Sequence, residues 1–523
     1  MTTVSVTRRI AQASGIVMAS VLASRLLGFL REWTVAHQIG SNAITDSYYA
    51  AFTLPDFLNY LVAGGALSIT FIPVFTKYLT EKREDEGWHV FSTVVTVMGL
   101  LLVAFVLAGE IFAPQLANVI APGFKVAEKD RVVFLTRLMM PAQFCFYLGS
   151  ILSAVQYAKG QFLVPSLAPV VYNVGIILGG VLLSSRIGIM GFAVGVLAGA
   201  LAGNLLLQIY GARRAGVRFT PNLNIGHPGF RLFVKLTVPI MLAFSLVFTD
   251  DWIIRFFGSY LVPASITWLS YAKTLMRVPL AVVGQAVGVA SFPFLAQLYS
   301  EGKLDELNRI LNLTLKGLLL LLVPISALTI AQSKPLVYFV FSHTRLRGPD
   351  LQATAATLAV FSIGMFAWGA QSILARGFYA ARDTLTPAVA GTVLTFLNLP
   401  LYWFLMHQMQ HLGLALASSC GIIAYTAVLF VLLTRRTHNP EASDLLLFTS
   451  KIGIASAVAA LACYRLTEWL GLRIGWESTL HALLVLVIAS SVGLALTVVF
   501  ARILRVRELD AYFKKLKGAR RLL

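Results

Sequence analysis

The chain has 523 residues, of which 58% are hydrophobic and only 12% are charged. Soluble domains are about half apolar and about a quarter charged, so this composition excludes a soluble globular protein, a disordered chain and a disulfide scaffold. The formal net charge of +19 is explained by Lys and Arg residues that collect in the cytoplasmic loops of membrane proteins, so nucleic acid is not expected as a partner.

Long apolar runs between polar breaks predict an all-α polytopic membrane protein with about fourteen transmembrane helices. The strands of an outer-membrane barrel would instead give weak alternating segments of about ten residues. The eighth predicted span is overlong and contains Pro279 and Pro293, so we expect it to be bent or broken. In chain order the predicted spans are 10–31, 44–66, 89–113, 133–157, 164–184, 188–211, 231–257, 266–298, 308–331, 352–375, 385–406, 411–434, 447–469 and 479–502.

The distribution of basic residues predicts the orientation of the chain. If the N-terminus is cytoplasmic, most of the 42 Lys and Arg residues fall in cytoplasmic loops and in the C-terminal tail. Both termini are therefore expected in the cytoplasm, which agrees with an even number of helices. The first apolar stretch is too long for the core of a cleaved signal peptide and is interpreted as a transmembrane helix.

The sequence contains an internal repeat. Tyr157 and the following Leu163-Val164-Pro165 are echoed by Tyr379 and Leu385-Thr386-Pro387, at an offset of 222 residues. Offsets of 224 and 220 relate Leu54-Pro55 to Val278-Pro279 and Phe71-Ile72-Pro73 to Phe292-Pro293, and Gly64-Gly65 has counterparts in Gly284 and Gly288. Each offset aligns helix n with helix n+6, which predicts two halves related by an axis along the membrane normal. The predicted domains are a six-helix lobe over 1–215, a second over 216–440, two added helices over 441–505 and a basic cytoplasmic tail over 506–523.

The intramembrane charges are concentrated in the first two predicted helices of each half. Such charges are costly in a membrane, so they should face water or a partner. Arg and Lys in a confined cavity suit a phosphate or a carboxylate, although interhelix ion pairs are the alternative explanation. The charges are Arg25, Arg31, Glu32, Asp46 and Asp56 in the first half, and Asp250, Asp251, Arg255, Lys273 and Arg277 in the second.

Two spacings sharpen this interpretation. Asp251 and Arg255 are four residues apart on one helix face and can pair. Lys273 and Arg277 have the same spacing but repel each other unless an anion or a facing carboxylate lies between them.

Motifs for enzymatic chemistry are scarce. The sequence contains no Walker A, HExxH or GxSxG pattern, so a transporter is expected rather than an enzyme or an ATP-driven pump. His407 and His411 are better interpreted as a hydrated loop pair than as a metal site, and no cofactor is predicted. Asp250 and Asp251, with Thr395 and Asn398, are candidates for a site that binds a coupling monovalent cation, Na⁺ or H⁺.

Several motifs between about residue 15 and about residue 435 then suggest a family. They are Ser24-Arg25-Leu26-Leu27-Gly28-Phe29-Leu30-Arg31, Thr45-Asp46, Leu54-Pro55, Phe71-Ile72-Pro73, Ala121-Pro122-Gly123-Phe124, Ala168-Pro169 and Gly377-Phe378-Tyr379. Together they resemble the MurJ (MviN) lipid II flippases of the multidrug/oligosaccharidyl-lipid/polysaccharide (MOP) exporter superfamily. The resemblance implies a 6+6 core with two further helices that help to form a groove for the lipid tail.

The resemblance also implies a function. Such a protein moves lipid II, an undecaprenyl-diphosphate-linked disaccharide-pentapeptide, outward across the bacterial inner membrane for peptidoglycan synthesis by alternating access. Membrane lipids and the cell-wall synthesis machinery are the implied partners, and an ion or the membrane potential would reset the cycle. Two alternatives stay open: a flippase for another polyprenyl-diphosphate-linked oligosaccharide of the O-antigen or exopolysaccharide type, and a cation-coupled drug antiporter of the same superfamily.

By the same resemblance, Arg25 and Arg31 correspond to diphosphate-contacting arginines and Asp46 corresponds to an acid of the outer gate. The chain departs from the family pattern at three places: a basic pair falls on Asn59-Tyr60, an acid-arginine pair falls on Lys273-Thr274, and the acid one turn later is Arg277. We expect Asn59, Arg255, Lys273 and Arg277 to line the same cavity. The hypothesis is that Lys273 and Arg277 take over the phosphate contact of the missing arginine.

Overall fold

The computed structural model describes residues 3–59, 66–245, 249–381 and 383–509. All regular secondary structure in these residues is helical, which confirms the all-α prediction. The chain divides into an N-terminal unit, Met1–Thr267, and a C-terminal unit, Trp268–Leu523. Tyr60, Gly64-Gly65 and residues 510–523 of the basic tail lie outside the described residues, and the domain boundaries at 215, 440 and 505 remain predictions.

The N-terminal unit begins with a long helix and contains several helices interrupted by short breaks. Its helices are α1 Thr3–Gln38, α2 Ala43–Ala51, α3 Thr53–Leu58, α4 Ala66–Thr80, α5 Glu84–Ile111, α6 Ala113–Ile120, α7 Val126–Met139, α8 Ala142–Ala158, α9 Leu163–Ile187, α10 Met190–Gly199, α11 Leu207–Arg214, α12 Pro228–Ser245 and α13 Thr249–Gly258. A π-helical turn over Ala200–Leu206 joins α10 to α11. An aromatic core of Phe71, Phe75, Trp88, Phe91 and Phe233 packs α4, α5 and α12 together.

The remaining helices lie wholly or mostly in the C-terminal unit. They are α14 Ser265–Ser300, α15 Leu304–Ala331, α16 Ser333–Phe341, α17 Gly348–Ile363, α18 Met365–Ala380, α19 Leu385–Thr437, α20 Ala442–Ile474 and α21 Thr479–Ile503. Leucines along α15, including Leu311, Leu315 and Leu322, form the centre of a buried apolar core. On another face of α15, Lys316 pairs with Asp444 of α20 and lies 2.8 Å from Glu508.

The described residues contain eight helical stretches long and apolar enough to cross a membrane, two of which are α7 with α8 and α10 with α11, or nine if the α17–α18 pair, bent by 41°, counts as one span. The chain is therefore a multi-pass membrane protein, while the count of fourteen is not confirmed. The predicted eleventh and twelfth helices both lie within α19, whose backbone is non-helical at Gln410. The second and seventh predicted spans each include residues outside the description.

Two details of the helix prediction differ from the structure. The eighth span is one continuous helix, α14, so the expected break is absent, because membrane helices tolerate proline when neighbouring groups satisfy the freed backbone. The expected bend stays a prediction. The short helices α6 and α16 lie at the ends of the predicted third and ninth spans and were not predicted. Each is only about two turns long, too short for a periodic pattern to stand out.

The internal repeat is visible in the local backbone of the two units. Glu128 Oε2 accepts a hydrogen bond from the backbone N–H of Lys125 at the start of α7, at 2.8 Å. Asp350 Oδ2 accepts the same bond from Arg347 at the start of α17, at 3.0 Å. These carboxylates, 222 residues apart (128 and 350), cap equivalent helices, so each unit carries its own helix-start signal.

Candidate functional site

Arg31 of α1 belongs to a hydrogen-bond network of side chains from three helices. Its Nη2 and Nε atoms lie 2.6 and 3.1 Å from Glu32 Oε1, and its Nη1 lies 3.5 Å from Asn173 Oδ1 of α9. The hydroxyl of Tyr49, on α2, donates to the other carboxylate oxygen of Glu32. Glu32 is only 5% exposed, so its charge is buried and needs these partners. The network fixes the guanidinium in one orientation.

Arg25, two turns earlier on α1, lines a cleft of about 170 Å³. Drug-sized sites enclose about 300–1,000 Å³, so this cleft suits a small headgroup fragment such as a phosphate. Arg25 itself is exposed. The other lining residues come from α1, α8 and α9: Val17, Ser20, Val21, Ser24, Tyr157, Pro165, Ser166 and Pro169.

Asn173 lies between the cleft that Arg25 lines and the hydrogen-bond network of Arg31. Its side-chain amide donates to the backbone carbonyl of Pro169 at 2.9 Å and lies 3.4 Å from the hydroxyl of Ser24. Ser24 is adjacent to Arg25, and Pro169 lines the same cleft. Asn173 therefore contacts both Arg31 and residues that line the cleft of Arg25.

Asp46, the predicted gate acid, is buried and fully engaged. Its Oδ2 accepts a hydrogen bond from the backbone N–H of Ala264 at 2.7 Å. Its Oδ1 accepts from the backbone N–H and the hydroxyl of Thr267, at 2.8 and 2.6 Å. Because the first N–H groups of a helix have no partner within the helix, Asp46 of α2 caps the start of α14 from a distance in sequence.

Arg255 of α13 pairs with Asp56 of α3, an acid that the sequence analysis did not match with it. Its Nη2 and Nη1 atoms lie 3.2 and 3.3 Å from Asp56 Oδ2, and Nη1 also donates to the hydroxyl of Thr53 at 3.1 Å. The Arg255 side chain is 15% exposed and the Asp56 side chain is 47% exposed. Asn59, half-buried, follows directly after α3.

The four candidates for a cation site lie on two helices, α13 and α19. Asp250 and Asp251 form the first turn of α13, where the helix dipole favours acids. On α19, the Thr395 hydroxyl donates to the Gly391 carbonyl at 2.8 Å, and the Asn398 amide donates to the Ala417 carbonyl at 3.0 Å. These two contacts give Thr395 and Asn398 structural roles, and the shared site remains a prediction.

Lys273 and Arg277 share a helix face on α14 but differ in environment. Lys273 is 5% exposed, and its Nζ lies 5.8 and 5.7 Å from the ring centroids of Phe361 and Trp368, within cation–π range. Arg277 is exposed. Of the two, Arg277 is better placed to meet a ligand from solution. Their common phosphate role remains a prediction.

The sequence analysis missed the hydroxyl groups of this region. Tyr49, Thr53 and Thr267 each bond a charged candidate residue. Tyr49 was the detectable one, because a tyrosine pair in an otherwise apolar helix marks a hydroxyl that needs a partner. The two threonines have no comparable signal, since threonine is common on membrane helices and bonds its own backbone.

A family model described as "Lipid II flippase MurJ" matches residues 35–501. The chain is 28% identical to a probable lipid II flippase MurJ of Buchnera aphidicola, over 80% of this chain and 82% of the relative. It is 27% identical to the lipid II flippase MurJ of Burkholderia cenocepacia, over 86% and 90%. The probable lipid II flippase MurJ of Thermotoga maritima is 27% identical, over 94% and 96%.

Solved structures share the fold. A lipid II flippase MurJ in an inward closed conformation superposes with a TM-score of 0.77, at 24% identity, over 93% of this chain and 99% of that one. An inward-facing multidrug resistance MATE transporter of the MOP superfamily gives a TM-score of 0.63, at 14% identity, over 81% and 98%. The predicted MOP-exporter fold is confirmed. Because the family model spans most of its length, the chain belongs to the MurJ lipid II flippase family.

Proposed function

We propose that this protein is a lipid II flippase that moves undecaprenyl-diphosphate-linked disaccharide-pentapeptide from the cytoplasmic to the outer leaflet of the bacterial inner membrane. The observation that carries the proposal is the family match over residues 35–501. The cleft lined by Arg25 and the neighbouring network of Arg31, both reached by Asn173, support a diphosphate site on α1. The proposal includes cytoplasmic termini, in agreement with the distribution of Lys and Arg.

In the proposed mechanism the diphosphate binds the exposed guanidinium of Arg25, while Arg31 stays oriented by Glu32 and Asn173. An arginine can bind two phosphate oxygens at once, which offsets the loss of their hydration. The lipid tail stays in the membrane while the helices move between inward-open and outward-open states. Asp46 would stabilise one of these states, because its bonds to Ala264 and Thr267 exist only while α2 lies against the start of α14.

The energy source is also part of the proposal. Moving one negative charge outward across an inside-negative potential of 100 mV releases about 2.3 kcal/mol, so the potential favours export of a diphosphate. A coupling cation, Na⁺ or H⁺, at Asp250 and Asp251 would reset the empty protein.

A second candidate is a flippase for another polyprenyl-diphosphate-linked oligosaccharide. It is favoured by the departures from the family pattern at Asn59, Lys273 and Arg277. Since these residues differ in charge from the family pattern, the headgroup that they accept can differ as well.

Complementation tests the proposal. Bacteria depleted of their own lipid II flippase would receive the wild-type chain, Arg25→Ala, or the matched control Arg309→Ala, which removes an exposed arginine of α15. Rescue by the wild type and by the control, with failure of a normally inserted Arg25→Ala variant, is the expected result. If the well-inserted wild type fails while cells lacking an O-antigen flippase are rescued, the second candidate replaces the first.

A further inference from the structure

Arg376 of α18 has no counterion among the described residues. It is half-buried, and it donates no side-chain hydrogen bond and forms no ion pair with any described residue. Among the described arginines and lysines, it alone has a buried nitrogen, Nη1, without a hydrogen-bond partner. A guanidinium has five N–H donors, and leaving them unsatisfied in a half-buried position costs stability. A ligand that supplies the missing acceptor explains such a group better than packing does.

Two other partly buried arginines are paired: Arg31 bonds Glu32 and Asn173, and Arg255 bonds Asp56. The more exposed Arg436 bonds Asp383. At these three positions the fold supplies a partner for the guanidinium. At Arg376 it supplies none among the described residues.

Arg376 and Tyr379 form a polar strip on α18 next to the buried core. Gly377 and Phe378 face the core: a Cβ on Gly377 would lie 2.7 Å from Leu433 Cδ2, and Phe378 is 1% exposed. Tyr379, three residues after Arg376 and on its side of the helix, is 40% exposed. A guanidinium and a phenol hydroxyl are thus presented together, and both are donors suited to an oxyanion.

The charges on the neighbouring end of α19 are mostly positive. The contact between Gly377 and Leu433 places the last turn of α19, with Arg435 and Arg436, beside this part of α18. Asp383 is the only acid in the described parts of α18, the following loop and that turn, and it is already engaged by Arg436. An excess of fixed positive charge with few acids attracts anions.

We propose that Arg376, with Tyr379, binds a phosphate oxyanion at the end of α18 that the loop charges predict to be cytoplasmic. Two sources share this chemistry: the diphosphate of a polyprenyl-linked substrate and the phosphate of an anionic phospholipid. The residues of this site are other than the arginines of α1. The inference rests on the proposed function if the oxyanion is the substrate diphosphate, and does not if it is a phospholipid phosphate.

The test is direct binding to the full-length protein in detergent. Undecaprenyl diphosphate and dioleoyl phosphatidylglycerol are the two probes, undecaprenol is the phosphate-free control, and the dissociation constants come from native mass spectrometry. The variants are Arg376→Gln, Arg376→Lys and a matched control, Arg465→Gln, which removes an exposed arginine of α20. A hydrogen-bonded charge contact is worth at least about tenfold in affinity, so Arg376→Gln should bind one phosphate probe at least about tenfold more weakly.

Each outcome either supports or overturns the proposed phosphate site at Arg376. Selective loss for undecaprenyl diphosphate assigns the site to the substrate diphosphate, and selective loss for phosphatidylglycerol assigns it to a phospholipid. Unchanged dissociation constants for both probes in a folded Arg376→Gln variant would overturn the site. If that variant does not fold, Arg376→Lys decides, because lysine keeps the charge but loses the planar fork: weaker binding supports the site and unchanged binding overturns it. No step uses flipping, so this result and that of complementation are independent.

Discussion

Gln410 has the backbone conformation of Gly188, the residue 222 positions earlier (188 and 410). The φ and ψ angles are 54° and −132° at Gln410 and 60° and −139° at Gly188. Both residues end the first helix of a pair, α9 in the N-terminal unit and the first part of α19 in the C-terminal unit. The turn has been kept in both repeats, but only one keeps the glycine that accepts this conformation without strain.

The first prediction concerns this strain. Gln410→Gly should raise the free energy of unfolding by about 1 kcal/mol, because removal of about 1–3 kcal/mol of backbone strain exceeds the entropic cost of glycine. Gly188→Ala should lower it by about 1–3 kcal/mol. Thermal unfolding in detergent measures both. Gln408→Gly is the control: it lies in the regular helix and should lose about 1 kcal/mol. If glycine lowered the free energy of unfolding equally at positions 408 and 410, Gln410 would be unstrained.

The second prediction concerns the cap of α14. Asp46→Ala should lower the free energy of unfolding by about 2–3 kcal/mol, since the buried N–H groups of Ala264 and Thr267 lose their acceptor. Thr267→Val removes only one hydroxyl bond and should cost about 1 kcal/mol. Equilibrium unfolding measures both effects. If Asp46→Ala is as stable as the wild type, the cap makes no net contribution.

The third prediction concerns the orientation of Arg31. Tyr49→Phe removes the hydroxyl that bonds Glu32, and Glu32→Gln removes the charge that bonds Arg31. Both should weaken complementation without loss of membrane insertion. In unfolding measurements the two changes should be non-additive by at least about 0.5 kcal/mol, because they act on one network. Strict additivity in the double variant would separate Tyr49 from the network.

The fourth prediction concerns pH. Burial raises the pKa of Asp383, but hydrogen bonds from the backbone and hydroxyl of Thr386, together with Arg436, outweigh it and hold the pKa below the ordinary value. A lowered pKa stabilises the fold above the unfolded pKa of about 3.9 and loses that contribution as the pH falls through the folded pKa. Asp383→Asn should therefore be more destabilising at pH 7 than at pH 3.

The measurement for Asp383 is the difference in melting temperature from the wild type across this pH range. The control is Asp305→Asn, at an exposed aspartate of α15 with no described ion pair. A difference for Asp383→Asn that stays constant with pH would contradict the prediction.

Much of the fold could be predicted because apolar runs and their breaks are local signals. The break between the predicted spans 385–406 and 411–434 is found at Gln410, between two stretches that together form α19. The partners of charged residues could not be predicted in the same way. The sequence offered Asp251 on the same helix as a partner for Arg255, but it gave no sign of Asp56, which lies 199 positions away in the chain. Such pairs depend on tertiary packing, which helix periodicity does not encode.

The cap on α14 has a consequence for the order of events during synthesis. Asp46 is separated from its partners Ala264 and Thr267 by 218 and 221 positions. At about 5–20 residues per second, the ribosome needs on the order of 10–40 s to produce the rest of the N-terminal unit after Asp46. During that interval the carboxylate has none of its final donors. Insertion of α2 therefore precedes the capping of α14, and a nascent chain that stops before Ala264 should be an early substrate for membrane proteases.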